Sequence, residues 1–181
     1  MLLTLFLAIM LCAAITWMLV SAVAFVQKEE FFSSAPKAAR DVILPREQES
    51  FRGARVLGWL LMGFSLLAIA GVIVIAAWDG VRCGYGFSRF FARFLTILTI
   101  YKLYDMTFFD YYLLMRAGFF QFYYPEVGAV YPLKKYGYNL RSQLLKLLVV
   151  FPAVSALASW VCTLWALREF MILYTAPVRR S

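Results

Sequence analysis

No histidine occurs among the 181 residues. That absence removes the commonest metal ligand, the usual general base and the serine-triad machinery. Cysteine is sparse. Cys12, Cys83 and Cys162 stand far apart and form no CxxC pair, which argues against dithiol–disulfide chemistry. Cys12 and Cys162 fall in apolar stretches and read as small packed residues, whereas Cys83 falls in a connecting segment. The turn "GYGF" at 84–87 is not followed by GxxxxGK[ST], so it is no phosphate loop. Tyr104–Asp105 resembles only the YD half of the intramembrane aspartyl protease pair, and no GxGD partner exists elsewhere. No metal and no cofactor are expected.

Negative charge is also scarce, with 10 Asp+Glu against 18 Lys+Arg and a net charge of +8. In a soluble protein that surplus would point to nucleic acid. Here no nucleic-acid-binding motif accompanies it, and basic residues flanking apolar runs are the ordinary mark of cytoplasmic membrane ends. No nucleic-acid partner is expected.

What the chain has in abundance is apolar surface: 64% of residues are hydrophobic and 18% aromatic. Soluble domains are nearer half apolar. A bilayer core takes roughly 20 apolar residues to cross as a helix. Residues 2–26 and 56–78 meet this without any charge, the latter framed by Trp59 and Trp78, as amphipathic rings at an interface would be. Residues 144–167 carry Lys146 near their start and Arg168 just beyond. Residues 90–115 are the fourth candidate. The expected fold is all-α: a single membrane domain of four transmembrane helices, with an interfacial helical first loop and an aromatic, Pro/Gly-broken third loop. No basic stretch precedes residue 2, so the first helix reads as retained and not as a cleaved signal.

Loop charge sets the expected orientation. Loops 27–55 and 116–143, with their helix ends, hold Lys28, Lys37, Arg40, Arg46, Arg52, Arg55, Arg116, Lys134, Lys135, Arg141 and Lys146. The other side holds Arg82, Arg89, Arg93, Arg168, Arg179 and Arg180. The bias puts both loops in the cytoplasm and both termini opposite, in a plasma (inner) membrane. Pro36 and Pro45 each suit the first turn of a short helix in the first loop. The third loop, "GFFQFYYPEVGAVYPLKKYGYN", reads as an aromatic belt followed by an irregular turn, with a re-entrant segment as the alternative. Tyr123, Tyr124, Lys134 and Lys135 are its candidate headgroup contacts.

The stretch "KLYDMTFFDYYLLMR" at 102–116 places three ionisable groups where water is scarce. At 3.6 residues per turn, Lys102, Asp105, Phe109, Tyr112 and Arg116 share one stripe, with Asp110 about a quarter-turn off it beside Thr99 and Met106. A lone charge at mid-bilayer costs about 2.5–3.5 kcal/mol on insertion scales. Lys102 and Asp105 are therefore expected to pair, leaving Asp110 without a cation of its own. Lys102, Asp105, Asp110, Tyr112 and Arg116 form the candidate intramembrane network, and Asp105 and Asp110 are the candidate catalytic carboxylates. Two small-residue rows, Gly63/Ala70/Ala77 and Ser155/Ser159/Thr163, read as packing surfaces. Pro152 is expected to bend the last helix.

Three functions fit these residues. The first is a transport or membrane-complex assembly component of bacterial type, with Asp110 exchanging a proton. The second is an intramembrane enzyme acting on a lipid or polyprenyl substrate, the reading toward which the chain leans less. The third is a purely structural subunit. Four helices are few for a complete transporter, so membrane lipids and either a homo-oligomer or other membrane subunits are the expected partners.

Overall fold

The computed structural model describes residues 1–28, 41–42, 49–129 and 140–175. Pro36, Pro45, Lys37, Lys134 and Lys135, and with them the helical reading of the first loop, lie outside the described residues. Within the described residues every regular element is helical. Helix α1 runs Leu2–Ser21 and continues through Ala22–Val26 in a wider, i→i+5 winding. Helix α2 is Ala54–Arg82. Helix α3 runs Phe87–Tyr104 and continues, again wide-wound, through Asp105–Arg116. A short helix α4, Phe119–Tyr123, and a 3-10 turn, Pro125–Ala129, follow. Helix α5 begins at Leu140–Leu145, widens over Lys146–Val150 and ends as Phe151–Thr175.

Three of these are long and apolar enough to cross a membrane: Leu2–Val26, Ala54–Arg82 and Leu140–Arg168. The expected span 90–115 is a continuous helix, but it is not among them, because Arg93, Lys102, Asp105 and Asp110 lie along it. The three apolar helices bury only 28%, 28% and 17% of their most apolar windows against the rest of the chain. Leu60, Phe64, Leu67, Leu148, Leu157 and Trp160 all face outward. An apolar exterior of this extent matches a lipid environment and not water.

The helices pack antiparallel in sequence. Near one end, Leu7, Ala8 and Leu11 of α1, Val72 and Ala76 of α2, Phe90, Phe94 and Ile97 of α3, and Cys162 of α5 form one buried cluster. Near the other, Ala22 and Val26 meet Met62 of α2. Helix α1 stops because Gln27 adopts a left-handed conformation (φ 51°), its N–H bonded to Ala22 O at 2.9 Å. Helix α3 stops in the same manner at Gly118 (φ 60°), where the chain turns into α4. The latter packs back against Ala22–Val26.

The packing face of α2 differs from the expected row. Gly63 and Ala70 are exposed, and a Cβ at Gly63 would meet nothing within 4 Å, whereas Ala77 of the same row packs against the buried cluster. The buried face is Gly58, Met62, Ser65, Val72, Ala76 and Gly80. At Gly80 a Cβ would lie 2.3 Å from Phe90 Cε1, so glycine is what lets α2 and α3 approach. A three-residue register of small side chains is common along an apolar helix, and only the neighbour decides which register faces inward. The row on α5 is buried at Ser155 and Ser159. Two of its hydroxyls bond back to their own helix, Ser159 to Ser155 O at 2.5 Å and Thr163 to Ser159 O at 2.7 Å, while the buried Ser155 hydroxyl has no hydrogen-bond partner. The wide turn Lys146–Val150 directly precedes Pro152, whose missing N–H denies one carbonyl its usual partner.

Candidate functional site: the charges of helix α3

The second half of α3 is where local winding decides which side chains meet. Bonding i→i+5 adds about one residue to each turn. Residues five apart then come onto one side, and the 3–4–3–4 stripe expected for an ordinary α-helix breaks at Asp105. The consequence is a regrouping. Lys102 is buried and its Nζ donates to Asp105 Oδ2 at 2.5 Å, as the spacing predicts. Asp110, five residues beyond Asp105, comes onto the carboxylate side instead of falling off it, and the charges of Asp105, Lys102 and Lys146 of α5 all act on it. Phe109 and Leu113 are the buried residues of this half. Tyr112 and Arg116 are exposed and stand apart from the ion pair. Tyr112 instead continues an aromatic ladder, Tyr104–Phe108–Tyr112, with ring centroids 5.0 and 5.7 Å apart.

Asp110 finds a neutral partner on another helix. Gln143, buried in the first turns of α5, donates from Nε2 to Asp110 Oδ2 at 3.0 Å. The Gln143 Oε1 has no hydrogen-bond partner in its buried position. Tyr104 links the same region to α1 through its hydroxyl, 2.9 Å from Thr16 Oγ1, while Thr16 also donates to Cys12 O. The bonds are therefore Lys102–Asp105 and Asp110–Gln143, with Asp105 and Asp110 related through their charges, while Tyr104–Thr16 ties the same stretch of α3 to α1. Of the candidate headgroup contacts, Tyr124 is buried at 1% exposure and Tyr123 is partly exposed.

A second charged site lies in the first half of α3. Arg93 is 5% exposed, and its Nη1 lies 2.7 Å from Asp79 Oδ2 of α2. Nη1 also donates to Ala76 O at 3.0 Å and Nη2 to the Tyr85 hydroxyl at 3.0 Å, with the guanidinium 4.6 Å from the Tyr85 ring centre. Sequence reading counted Arg93 as a loop charge. The signal that places it inside is its register: Phe90, Arg93, Phe94 and Ile97 share one helical face, and all four are buried. Removing Arg93 from the loop count leaves the direction of the charge bias unaltered.

Chemically, the α3–α5 cluster offers two carboxylates, the Lys102 ammonium, the Gln143 amide and, acting on Asp110 through its charge, the Lys146 ammonium of α5. It can hold or pass a proton or a small cation. Among the described residues, no three metal-ligating side chains gather at one place. Compared with known proteins, the chain matches no family model, no curated relative and no solved structure.

Proposed function

We propose that the chain is a four-span membrane protein acting as a transport or membrane-complex assembly component, with Asp110 as its proton- or cation-exchanging group. Support for the fourth span comes from connectivity. Helix α3 starts one short turn after α2 ends, packs its Phe90 on Gly80, and reaches Gln143 at the start of α5 with Asp110. If α2 and α5 cross, α3 joins their opposite ends and must cross between them. Burial of Lys102 and Arg93 against protein removes most of the cost that charges would meet in lipid. The loop-charge bias supports loops 27–55 and 116–143 as cytoplasmic and the termini as opposite, and the membrane assigned to the chain is the plasma (inner) membrane. The lipid-facing surfaces of α1, α2 and α5 leave room for a second copy or other membrane subunits.

The observation that carries the functional reading is the state of Asp110. Lys102 is already bonded to Asp105, and the partner of Asp110 is an amide, which accepts either protonation state of a carboxyl group. The carboxylate is also only partly enclosed by the chain, which leaves one side of it open toward the end of the bundle. A second reading, chemistry on a lipid or polyprenyl headgroup, is favoured by depth. Gln143 precedes the apolar run of α5, so Asp110 sits toward one end of the bundle and not at its middle.

The test is infrared difference spectroscopy of the purified chain in liposomes, following the carboxyl C=O stretch across pH. One protonated-carboxyl band should titrate and vanish in Asp110→Asn, with helicity and yield retained. Potential-driven proton uptake by the same liposomes should fall with it. A band unaltered in Asp110→Asn overturns the exchange role and leaves the network as interhelical packing. A titrating band without proton uptake, accompanied by turnover of an added lipid phosphate, moves the assignment to the enzyme reading.

A further inference from the structure

A cleft of about 260 Å³ lies between the beginnings of α1 and α3, at the opposite end of the bundle from Asp110. Leu5 and Ala92 form its apolar walls, Thr4 and Thr96 add hydroxyls, and Arg89 and Arg93 line it beside Tyr85. Leu5, Arg89, Ala92 and Thr96 are exposed, so the cleft lies on the outer surface. Thr96 is two turns beyond Arg89, so the cleft extends roughly 10 Å along the helix from the arginine end.

Three features give this cleft a preference. Arg93 is held rigidly by Asp79, Ala76 O and the Tyr85 hydroxyl, yet its buried Nε has no hydrogen-bond partner. Arg89 has no carboxylate partner among the described residues, and its guanidinium rests near the same tyrosine, 5.8 Å from the ring centre. Tyr85 thereby positions both arginines, one neutralised by Asp79 and one not. The result is a net positive mouth above an apolar trough. That order, cation at the helix ends and hydrocarbon walls inward, is the order of phosphate and acyl chain in a phospholipid.

We infer that this cleft binds an anionic phospholipid, its phosphate on Arg89 and the upper part of an acyl chain along Leu5 and Ala92. Free phosphate would use the arginine and gain nothing from the trough; a zwitterionic lipid would bring its own cation to a site that already has one. The assignment rests on the membrane placement above but not on any role of Asp110.

The experiment uses the full chain in nonionic detergent, with thermal melting followed as phosphatidylglycerol, phosphatidylcholine or inorganic phosphate is added. Phosphatidylglycerol should raise the melting temperature saturably, and the other two should not. Arg89→Gln should weaken the apparent affinity about tenfold, the scale of one charge-assisted hydrogen bond. Ala92→Phe, which fills the trough, should weaken it too while leaving the lipid-free melting temperature in place. Arg82→Gln removes another exposed arginine at the same end and should retain full affinity. Equal shifts with phosphatidylcholine, an equal effect of inorganic phosphate, or equal loss in Arg82→Gln would each overturn the assignment. The Asp110 infrared band should not move in any of these variants, whose residues line the cleft or its end of the bundle and not the Asp110–Gln143 contact, so failure here stays separate from failure there.

Discussion

The two halves of α3 solve the same problem differently. Each carries a buried cation with a carboxylate bonded to it, in a helix that packs among apolar neighbours. In the first half, regular α-helical winding presents Arg93 to α2, and the pair Arg93–Asp79 ties two helices together. In the second half the winding widens, and the pair Lys102–Asp105 stays within one helix. The cross-helix pair is braced further by a backbone carbonyl and a tyrosine. The local pair has a second carboxylate nearby instead, Asp110, which bonds to α5 through an amide. Arginine with its planar fork suits the first arrangement, and lysine as a single movable point charge suits the second. The difference separates a fixed joint from a site that can redistribute charge.

The largest effect is expected on breaking the fixed joint. Asp79→Ala leaves a guanidinium that is 4% exposed without its counter-charge, and stranding one partner of a buried pair costs about 3–5 kcal/mol. The lower end of that range applies, because the Asp79 side chain is itself 34% exposed. Arg93→Met should cost less, since the carboxylate it strands can hydrate. Melting of the two variants in detergent checks the order. A larger loss in Arg93→Met would mean that its bonds to Ala76 O and Tyr85, and not the ion pair, hold α2 to α3.

The local pair should break more gently. In Asp105→Asn, Lys102 can turn toward Asp110, so the expected loss is about 1–3 kcal/mol, the scale of a poorly satisfied buried group. Adding Lys102→Met should restore part of it. If the double variant melts no higher than Asp105→Asn alone, the two residues are not coupled. If Asp105→Asn costs as much as Asp79→Ala, the distinction between the two halves fails.

Close approach of α2 to the first half of α3 gives a third test. Gly80→Ala puts a Cβ 2.3 Å from Phe90, and forced overpacking costs about 1–3 kcal/mol. Gly63→Ala meets nothing and should gain up to about 1 kcal/mol from helix propensity alone. Opposite signs of the two melting shifts would confirm which face of α2 is inside.

Much of this was legible in the residues. Uncharged runs gave the helices of α1 and α2, and one-turn spacing gave Lys102–Asp105. The wide winding was not legible, because an i→i+5 turn has no composition of its own, and its effect on Asp110, Tyr112 and Arg116 followed from it. Charge alone assigns Arg93 to a loop, whereas its register with Phe90, Phe94 and Ile97 puts it inside the bundle. Gln143 was overlooked as a partner for Asp110 because no pattern links positions 33 apart; only packing of α3 on α5 brings them together. The inward face of α2 was unreadable for a related reason. Apolar residues surround that helix, so no hydrophobic stripe marks which side meets protein.

The smallest expected effect lies where the two halves of α3 join. Tyr104 is the last residue before the winding widens, and its hydroxyl meets Thr16 of α1 at 2.9 Å. Thr16 also donates to Cys12 O, so its hydroxyl hydrogen is committed to its own helix and Tyr104 is the donor across the gap. Thr16→Val keeps the shape and removes the acceptor. Interhelical hydrogen bonds of this kind average about 0.6 kcal/mol in membrane proteins, and that is the expected loss. Tyr104→Phe should cost the same, and the double variant no more than either alone, since both remove one bond. Melting of the three variants tests this. An additive double variant would show that the two hydroxyls serve other partners, and that α1 does not brace the point where α3 changes its winding.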